Sequence, residues 1–162
     1  MAIETERKFL LQGDGWRSLA VGTVYRQGYL ASDVRRTVRV RIAGTQAFIT
    51  IKGASVGISR AEFEYEIPVA DAAELLETLC DRPLIEKTRY KIPWHGMVWE
   101  VDEFGGENEG LIVAEVELSD PSQPLVLPEW IGQDVSDDPR YFNSNLAKQP
   151  FRDWGKAQRG EV

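Results

Sequence analysis

The segment Glu4-Thr5-Glu6-Arg7-Lys8 places two carboxylates and an ammonium at every second position, and Leu10 continues the same phase. On a β-strand, residues two apart lie on one face of the sheet. A carboxylate pair can bind a hard divalent cation, and a nearby lysine can contact the anion which that cation chelates. The segment thus suggests a metal and phosphate site, although taken alone it is better explained as a solvated edge strand.

Length and composition predict one globular domain. The chain has 162 residues, of which 43% are hydrophobic, and this is enough for a single core. No apolar run approaches the roughly 18 residues of a membrane span, so we expect a cytoplasmic protein without membrane association. Cys80 is the only cysteine and His95 the only histidine, which excludes an internal disulfide and gives little support to a zinc or histidine-base enzyme.

The net charge of −7 argues against nucleic acids and acidic membranes as partners, because such binding draws on a broad positive field. Acidic side chains also interrupt the basic stretches of the sequence. Any anion must therefore bind locally, where basic side chains gather on one surface. The oligomeric state is left open, and a homodimer is compatible with the sequence.

Segments of period two recur through the first three-quarters of the chain and predict about eight strands. These segments are Glu4 to Leu11, Thr23 to Leu30, Thr37 to Ile42, Gln46 to Lys52, Ser59 to Val69, Leu84 to Ile92, Val98 to Glu103 and Leu111 to Leu118. Asp71 and Glu74 form a capping-box pattern that predicts a helix between the fifth and sixth strands. Beyond Pro121 the pattern predicts short helices at Glu129 to Val135 and Asn143 to Lys148, and no strand.

The charged residues of the predicted strands fall mainly in one phase, in groups of like sign. The basic groups include Arg39 with Arg41 and Lys87 with Arg89, and the acidic ones include Glu115 with Glu117. Like charges two residues apart repel by about 1 kcal/mol in water and more strongly in a confined cavity. An ordinary solvent-facing sheet surface is the alternative. If the sheet closes into a barrel, its first and eighth strands become neighbours, forming an acidic seam for a cation beside basic strands for a polyanion.

Several motifs together resemble the CYTH superfamily, or triphosphate tunnel metalloenzymes. Its signature Glu-x-Glu-x-Lys is matched by Glu4, Glu6 and Lys8. Further matches, in the order of the family, are Arg39-Val40-Arg41, Lys52, Glu62 with Glu64, Lys87-Thr88-Arg89 and Glu115-Val116-Glu117. The resemblance implies an α+β, mainly β fold: an eight-stranded antiparallel β-barrel that forms a tunnel, with a few peripheral helices.

We therefore expect residues 1–162 to form a single CYTH-like domain, with the barrel at about 1–120 and a helical or irregular segment at about 121–155. The segments Arg26-Gln27-Gly28-Tyr29-Leu30 and Asn143-Ser144-Asn145-Leu146 are similar to those of the short bacterial-type members, which include inorganic triphosphatases. The resemblance implies hydrolysis of tripolyphosphate to pyrophosphate and phosphate, dependent on Mg²⁺ or Mn²⁺.

The resemblance also suggests the roles of individual residues. The candidate metal ligands are Glu4, Glu6, Glu115 and Glu117, with Glu62 and Glu64 for a second ion. The candidate phosphate ligands are Lys8, Arg39, Arg41, Lys52, Arg60, Lys87 and Arg89, with Lys91 and Asp102 as weaker additions. Tyr29 and Lys8 are the candidate catalytic residues: Tyr29 would orient or deprotonate water, with the ammonium of Lys8 favouring the phenolate.

Three other functions use part of the same set of residues. A class IV adenylate cyclase would also need a pocket for the base, and the compact loops offer little material for one. A thiamine or nucleoside triphosphatase would share the metal and phosphate ligands. A non-catalytic polyphosphate-binding module needs basic residues but not four carboxylates, so the acidic set favours catalysis.

Overall fold

The computed structural model describes residues 3–155, and all nine strands assigned in this range belong to one antiparallel sheet. The strands are β1 Ile3–Leu11, β2 Thr23–Ser32, β3 Arg36–Ala43, β4 Gln46–Gly53, β5 Ser59–Ile67, β6 Ile85–Trp94, β7 Met97–Phe104, β8 Ile112–Glu117 and β9 Ile131–Asp134. The helices are α1 Val69–Thr78 and α2 Asn143–Lys148, and short 3-10 turns lie at Gly106–Asn108, Pro139–Tyr141 and Phe151–Asp153. Neither α-helix has the length and apolar character needed to traverse a bilayer.

Eight strands close into a barrel in the order β5-β4-β3-β2-β6-β7-β8-β1, and β1 completes the ring by pairing with β5. On the other side of β1, Glu6 lies opposite Glu117 and Lys8 opposite Glu115 on β8. The predicted eight-stranded barrel and its junction of first and eighth strands are therefore confirmed. The junction of β1 with β5 places Glu4 opposite Arg60.

Apolar side chains of the opposite phase pack on the outside of the barrel. On one side, Phe9 and Trp99 from the strands pack with Trp16 and Trp130 from the connecting segments. On another side, α1 covers β3 and β4. Ala72 and Leu76, four residues apart on α1, are both fully buried, as expected for the inner face of an amphipathic helix. Burial of the apolar phase outside leaves the charged phase to line the interior.

Two local predictions are wrong. Helix α1 begins at Val69 after Pro68, and the boundary carries no side-chain cap, so Asp71 lies in the first turn and is not the cap. Proline has no N–H to leave unsatisfied and its fixed φ of −59° suits this boundary.

The predicted helix at 129–135 is instead strand β9 with its flanking residues. β9 pairs with the last residues of β1 beyond the β5 junction and satisfies backbone groups there. The predicted helix at Asn143–Lys148 is confirmed.

One end of the barrel is filled by an apolar cluster. Tyr29, Ile85 and Phe104 from the strands meet Leu146 and Trp154 from the C-terminal segment in this cluster. Ile85 and Phe104 continue the phase of Lys87 and Asp102, so the inner wall changes from charged to apolar toward this end. The C-terminal segment therefore covers one end of the barrel interior and helps to shape the site.

Candidate active site

The barrel encloses a cavity of about 420 Å³ whose wall is built from the charged phase of the strands. Each of the strands β1 to β6 and β8 contributes residues of one phase, because successive side chains point to opposite faces of a strand, and β7 contributes Glu100. Every candidate site residue lies on this wall: Glu4, Glu6, Lys8, Tyr29, Arg39, Arg41, Lys52, Arg60, Glu62, Glu64, Lys87, Arg89, Glu115 and Glu117. Lys91 also lines the cavity, whereas Asp102 is buried behind its basic residues.

Two carboxylates, Glu4 of β1 and Glu115 of β8, are held by ammonium and guanidinium groups. Glu4 accepts hydrogen bonds from Lys52 Nζ at 2.9 and 3.2 Å, and Glu115 lies 3.3 Å from Lys8 Nζ. Burial alone would raise the pKa of Glu4, but the charge of Lys52 outweighs it and the pKa stays below its ordinary value. Burial of Glu115 is likewise outweighed by Lys8 and Arg89, and its pKa is well below the ordinary range. Both carboxylates are therefore ionised.

The neighbouring carboxylates lack such balance. Within residues 3–155, Glu6 and Glu117 form no ion pair with any basic side chain. Burial, followed by the charges of Glu115 and Glu4, raises the pKa of Glu6 to about 8. Burial and the charge of Glu4 also raise the pKa of Glu117. Glu62 lies 3.4 Å from Lys52, which it shares with Glu4, yet burial and its hydrogen bond to Glu4 raise the pKa of Glu62 to about 7. This seam, comprising Glu4, Glu6, Glu62, Glu115 and Glu117, carries more acid than its basic partners neutralise.

The acidic seam suits a hard divalent ion by its chemistry. As arranged, no group of three or more acidic, histidine or cysteine side chains within 3–155 converges closely enough to hold an ion, and Glu4 and Glu115 are paired with Lys52 and Lys8. All the candidate ligands are carboxylate oxygens, the donors that Mg²⁺ and Mn²⁺ prefer. A bound cation would also balance the negative charge of Glu6 and Glu117, which have no basic partner within residues 3–155.

The basic wall opposite depends on one buried carboxylate, Asp102 of β7. Arg89 donates to both of its oxygens, at 2.7 and 2.8 Å, and Lys87 Nζ lies 2.7 Å from the second. Burial opposes ionisation of Asp102, but Arg89 and Lys87 outweigh it and lower its pKa. Burial, followed by repulsion from Arg89 and Arg41, lowers the pKa of Lys87 to about 7. The attraction of Asp102, which Lys87 shares with Arg89, does not outweigh these effects.

Arg41 carries the least compensated charge on this wall. No carboxylate of residues 3–155 forms an ion pair with it, and its Nε donates instead to Gln27 Oε1 at 2.7 Å. Burial, followed by repulsion from Arg39 and Arg89, lowers the pKa of Arg41 to about 9. Arg39 donates to Thr50 and lies 3.6 Å from Glu64, while its buried Nε has no hydrogen-bond partner. The basic wall is thus short of negative charge, as the acidic seam is short of positive charge.

Comparison with known proteins identifies the family of this barrel. The family model for the CYTH domain matches residues 2–145. The chain belongs to the CYTH domain family. It is 53% identical over 154 residues to an inorganic triphosphatase of Acetivibrio thermocellus, covering 95% of this chain and 99% of the relative. It is 38% identical over 149 residues to an inorganic triphosphatase of Nitrosomonas europaea, covering 89% and 96%.

A crystal structure of an inorganic triphosphatase superposes on this CYTH domain with a TM-score of 0.62 and 35% identity, covering 91% of this chain and 95% of that one. The fold and the family thus agree with the resemblance found in the sequence motifs. Membership of the family, with these triphosphatase relatives, implies dependence on a divalent metal ion.

Tyr29 lines the cavity of this CYTH domain at the edge of the apolar cluster, but it forms no side-chain hydrogen bond with Lys8 among the described residues. Lys8 Nζ instead donates to the Tyr141 carbonyl at 3.2 Å and contacts Glu115. Tyr29 lies on β2, which pairs with β3 and β6, and it is opposite Arg39, whereas Lys8 is on β1. The roles of Tyr29 and Lys8 in activating water stay predictions.

Sequence reasoning missed several residues of the CYTH cavity. Tyr25 lies beneath two guanidinium groups, those of Arg41 at 4.9 Å and Arg89 at 5.0 Å. Asn143 and Ser144 enter the wall from α2, outside the barrel strands. The period of two could have found Tyr25, because it shares the strand phase of Tyr29. The signal for Asn143 was the similarity of Asn143-Ser144-Asn145-Leu146 to the short bacterial-type members, but this segment carries no period that places it in a barrel.

Proposed function

We propose that this CYTH protein hydrolyses inorganic triphosphate to pyrophosphate and phosphate with the help of Mg²⁺ or Mn²⁺. The observation that carries the proposal is the pairing, in one cavity of about 420 Å³, of an acidic seam short of positive charge with a basic wall short of negative charge. A chelate of a divalent cation and a polyphosphate supplies both. The two relatives named inorganic triphosphatase support the same substrate.

The acidic seam is the proposed metal site. Glu4, Glu6, Glu115 and Glu117 would hold the ion, and Glu62 with Glu64 would hold a second one. When bound, the metal neutralises charge on the phosphates and polarises the phosphoryl oxygen. The lysines that now pair with Glu4 and Glu115 are Lys52 and Lys8, and these would turn to the phosphate oxygens when a metal takes their place.

The basic residues are the proposed triphosphate clamp. Phosphoryl transfer requires little covalent chemistry from the protein, so positioning and charge stabilisation account for most of the catalysis. Arg39, Arg41 and Arg89 offer forked N–H donors that suit phosphate, while ammonium groups act as point charges. The ammonium groups are those of Lys8, Lys52 and Lys87; Arg60, 3.7 Å from Glu4, joins the clamp beside the metal seam.

A nucleotide substrate would require an apolar surface for its base next to the triphosphate. The guanidinium groups of Arg41 and Arg89 already lie over the ring of Tyr25 in the basic wall, so this ring is not free to receive a base. This arrangement favours inorganic triphosphate over nucleoside or thiamine triphosphates and over a cyclase reaction.

The proposed function is tested by offering the purified protein tripolyphosphate, ATP and thiamine triphosphate with Mg²⁺ or Mn²⁺. We expect equal release of phosphate and pyrophosphate from tripolyphosphate, at a kcat/KM at least ~10-fold above that for either organic substrate. Chelation of the metal should abolish the reaction. Formation of cyclic AMP from ATP, or binding of tripolyphosphate without hydrolysis, would contradict the proposal in favour of a cyclase or a binding module.

Replacement of Tyr29 by phenylalanine tests its role in orienting water. We expect kcat for tripolyphosphate to fall by about 10- to 100-fold, because the hydroxyl is lost, while KM stays nearly constant because the basic residues are untouched. Tyr25→Phe is the matched control, since it removes another cavity hydroxyl from the same strand while keeping the ring under its arginines. Equal activity of the two variants would remove Tyr29 from the mechanism.

A further inference from the structure

Asn143 reaches the cavity from outside the barrel. Its Oδ1 accepts a hydrogen bond from Lys87 Nζ at 2.9 Å and another from Gln27 Nε2 at 3.2 Å. Asn143 is the first residue of α2, and the N-cap position of this helix is Phe142, so Asn143 does not occupy the position from which a side chain caps the helix. The side chain therefore serves the site and not its own helix.

Gln27 extends this contact to a second cation. Its side chain is fully buried, and its Oε1 accepts from Arg41 Nε at 2.7 Å. Consecutive hydrogen bonds thus join Arg41, Gln27, Asn143 and Lys87, linking β3, β2, α2 and β6. We call these four residues the amide relay. Because Gln27 donates to Asn143 and accepts from Arg41, the orientation of each amide is determined by its neighbours.

The amide relay differs from the other contacts of the cavity cations in its charge. Lys8, Lys52 and Arg39 each lie within 4.0 Å of a glutamate. Within the relay, the amide oxygens of Gln27 and Asn143 accept hydrogen bonds from Arg41 and Lys87. These neutral oxygens fix the position of the two cations without adding negative charge. Lys87 shares Asp102 with Arg89, and Arg41 has no carboxylate partner among the described residues. A neutral acceptor leaves the positive charge of Arg41 available to a ligand, and it adds no second carboxylate to Lys87, which already pairs with Asp102.

We propose that Asn143 is a positioning residue that holds Lys87, and through Gln27 also Arg41, in place to bind triphosphate, and that its neutrality is required for this role. The inference rests on the proposed function, because it assigns the ligand of these cations to be triphosphate. It makes the C-terminal segment part of the binding site.

A purely structural role for Asn143 is the competing explanation. The C-terminal segment has other anchors: Leu146 and Ala147 are buried in the apolar cluster, and Asn145 Nδ2 donates to the Pro139 carbonyl at 2.8 Å. A substitution at 143 that keeps the size of the side chain therefore leaves the docking of α2 intact. This makes the two explanations separable by measurements of affinity and stability.

The test compares Asn143→Asp with Asn145→Asp. Both add one negative charge to α2 at nearly constant size, but residue 145 does not line the cavity. Asn145→Asp also loses the hydrogen bond to the Pro139 carbonyl, so it shows what weaker docking of α2 alone does to binding. Binding of tripolyphosphate is measured by calorimetry in the presence of a chelator, KM and kcat are measured with Mg²⁺, and thermal midpoints are recorded for both. We expect Asn143→Asp to weaken binding and raise KM by about 10-fold or more, because the added carboxylate neutralises the charge of Lys87. The change in kcat should be smaller.

Asn145→Asp should bind as the wild type does, and Gln27→Glu should reproduce the loss, because it places a carboxylate against Arg41. Equal affinities for Asn143→Asp and Asn145→Asp would overturn the inference, as would a loss of affinity that follows the thermal midpoint in all three variants. If the wild-type protein itself neither bound nor hydrolysed tripolyphosphate, the proposed function would fail first and the inference with it. That result is distinguishable because it needs no variant.

Discussion

Glu6→Gln is expected to lower metal-dependent hydrolysis of tripolyphosphate by about 100-fold or more, while it stabilises the metal-free protein. The loss of activity follows from removing a negatively charged ligand at the centre of the acidic seam. The gain in stability follows from removing a half-buried carboxylate that forms no ion pair within residues 3–155. Phosphate release and the thermal midpoint in chelator are the two measurements.

The gain in stability has a definite pH dependence. Burial, together with Glu115 and Glu4, raises the pKa of Glu6 from 4.5 to about 8 in the folded protein. The folded state therefore retains a proton that the unfolded state has lost, and the stability linked to it is complete below pH 4.5 and declines as pH rises to 8. Glutamine removes this decline, so the midpoint difference between variant and wild type should widen between pH 5 and pH 8.

Glu66→Gln is the matched control for Glu6→Gln. Glu66 lies on β5 in the phase of Glu62 and Glu64, but it is exposed and outside the cavity wall. We expect neither activity nor stability to change in this control. A Glu6→Gln protein with wild-type metal-dependent activity would exclude Glu6 from the metal site.

Asp102→Asn is expected to reduce the free energy of unfolding by about 3 to 5 kcal/mol, the usual consequence of removing one partner from a buried ion pair. Asp102 is 1% exposed and is the shared counterion of Lys87 and Arg89. Asparagine leaves both cations buried without full charge compensation. Urea denaturation measures the difference, and tripolyphosphate hydrolysis should fall together with it because the basic wall loses its support.

The double variant Asp102→Asn with Lys87→Met should recover part of the lost stability, because it removes one of the two cations that Asp102 balances. It should not recover the activity. Asp14→Asn is the control, because Asp14 is an exposed aspartate that pairs with Arg17 at the surface. It should leave unfolding unchanged. Equal stability of Asp102→Asn and Asp14→Asn would show that the buried ion pair does not hold the barrel wall together.

The strands and the composition of the cavity wall were predictable because both depend on a local period of two. Glu4, Glu6 and Lys8 share a face in any extended strand, and the same holds for Lys87 and Arg89 on β6. The neighbours Glu6 and Glu117 followed once the eight strands were closed into a ring. The alternation of side chains within each strand and the closure of the eight strands into a barrel thus determined which residues surround the cavity.

Features set by long-range backbone pairing were not predictable. β9 has only four residues, too few for a clear alternation, and it is a strand because β1 offers a free edge there. The position of Asn143 depends on how the C-terminal segment packs over the end of the barrel, which no pattern within that segment expresses. Local sequence likewise does not show that Lys8 and Tyr29 lie on unpaired strands, since the sequence neighbours β1 and β2 are not adjacent in the barrel.

Diffraction from crystals grown with Mn²⁺ and tripolyphosphate tests the central claim most directly, because the anomalous signal of manganese locates the metal independently of the phosphates. We predict manganese between the β1 and β8 carboxylates, bound by Glu6 and its neighbours, and phosphate density against Arg39, Arg41 and Lys87. Manganese or phosphate bound outside the barrel, with the cavity carboxylates still paired to Lys52 and Lys8, would contradict the claim that this cavity is the triphosphatase site.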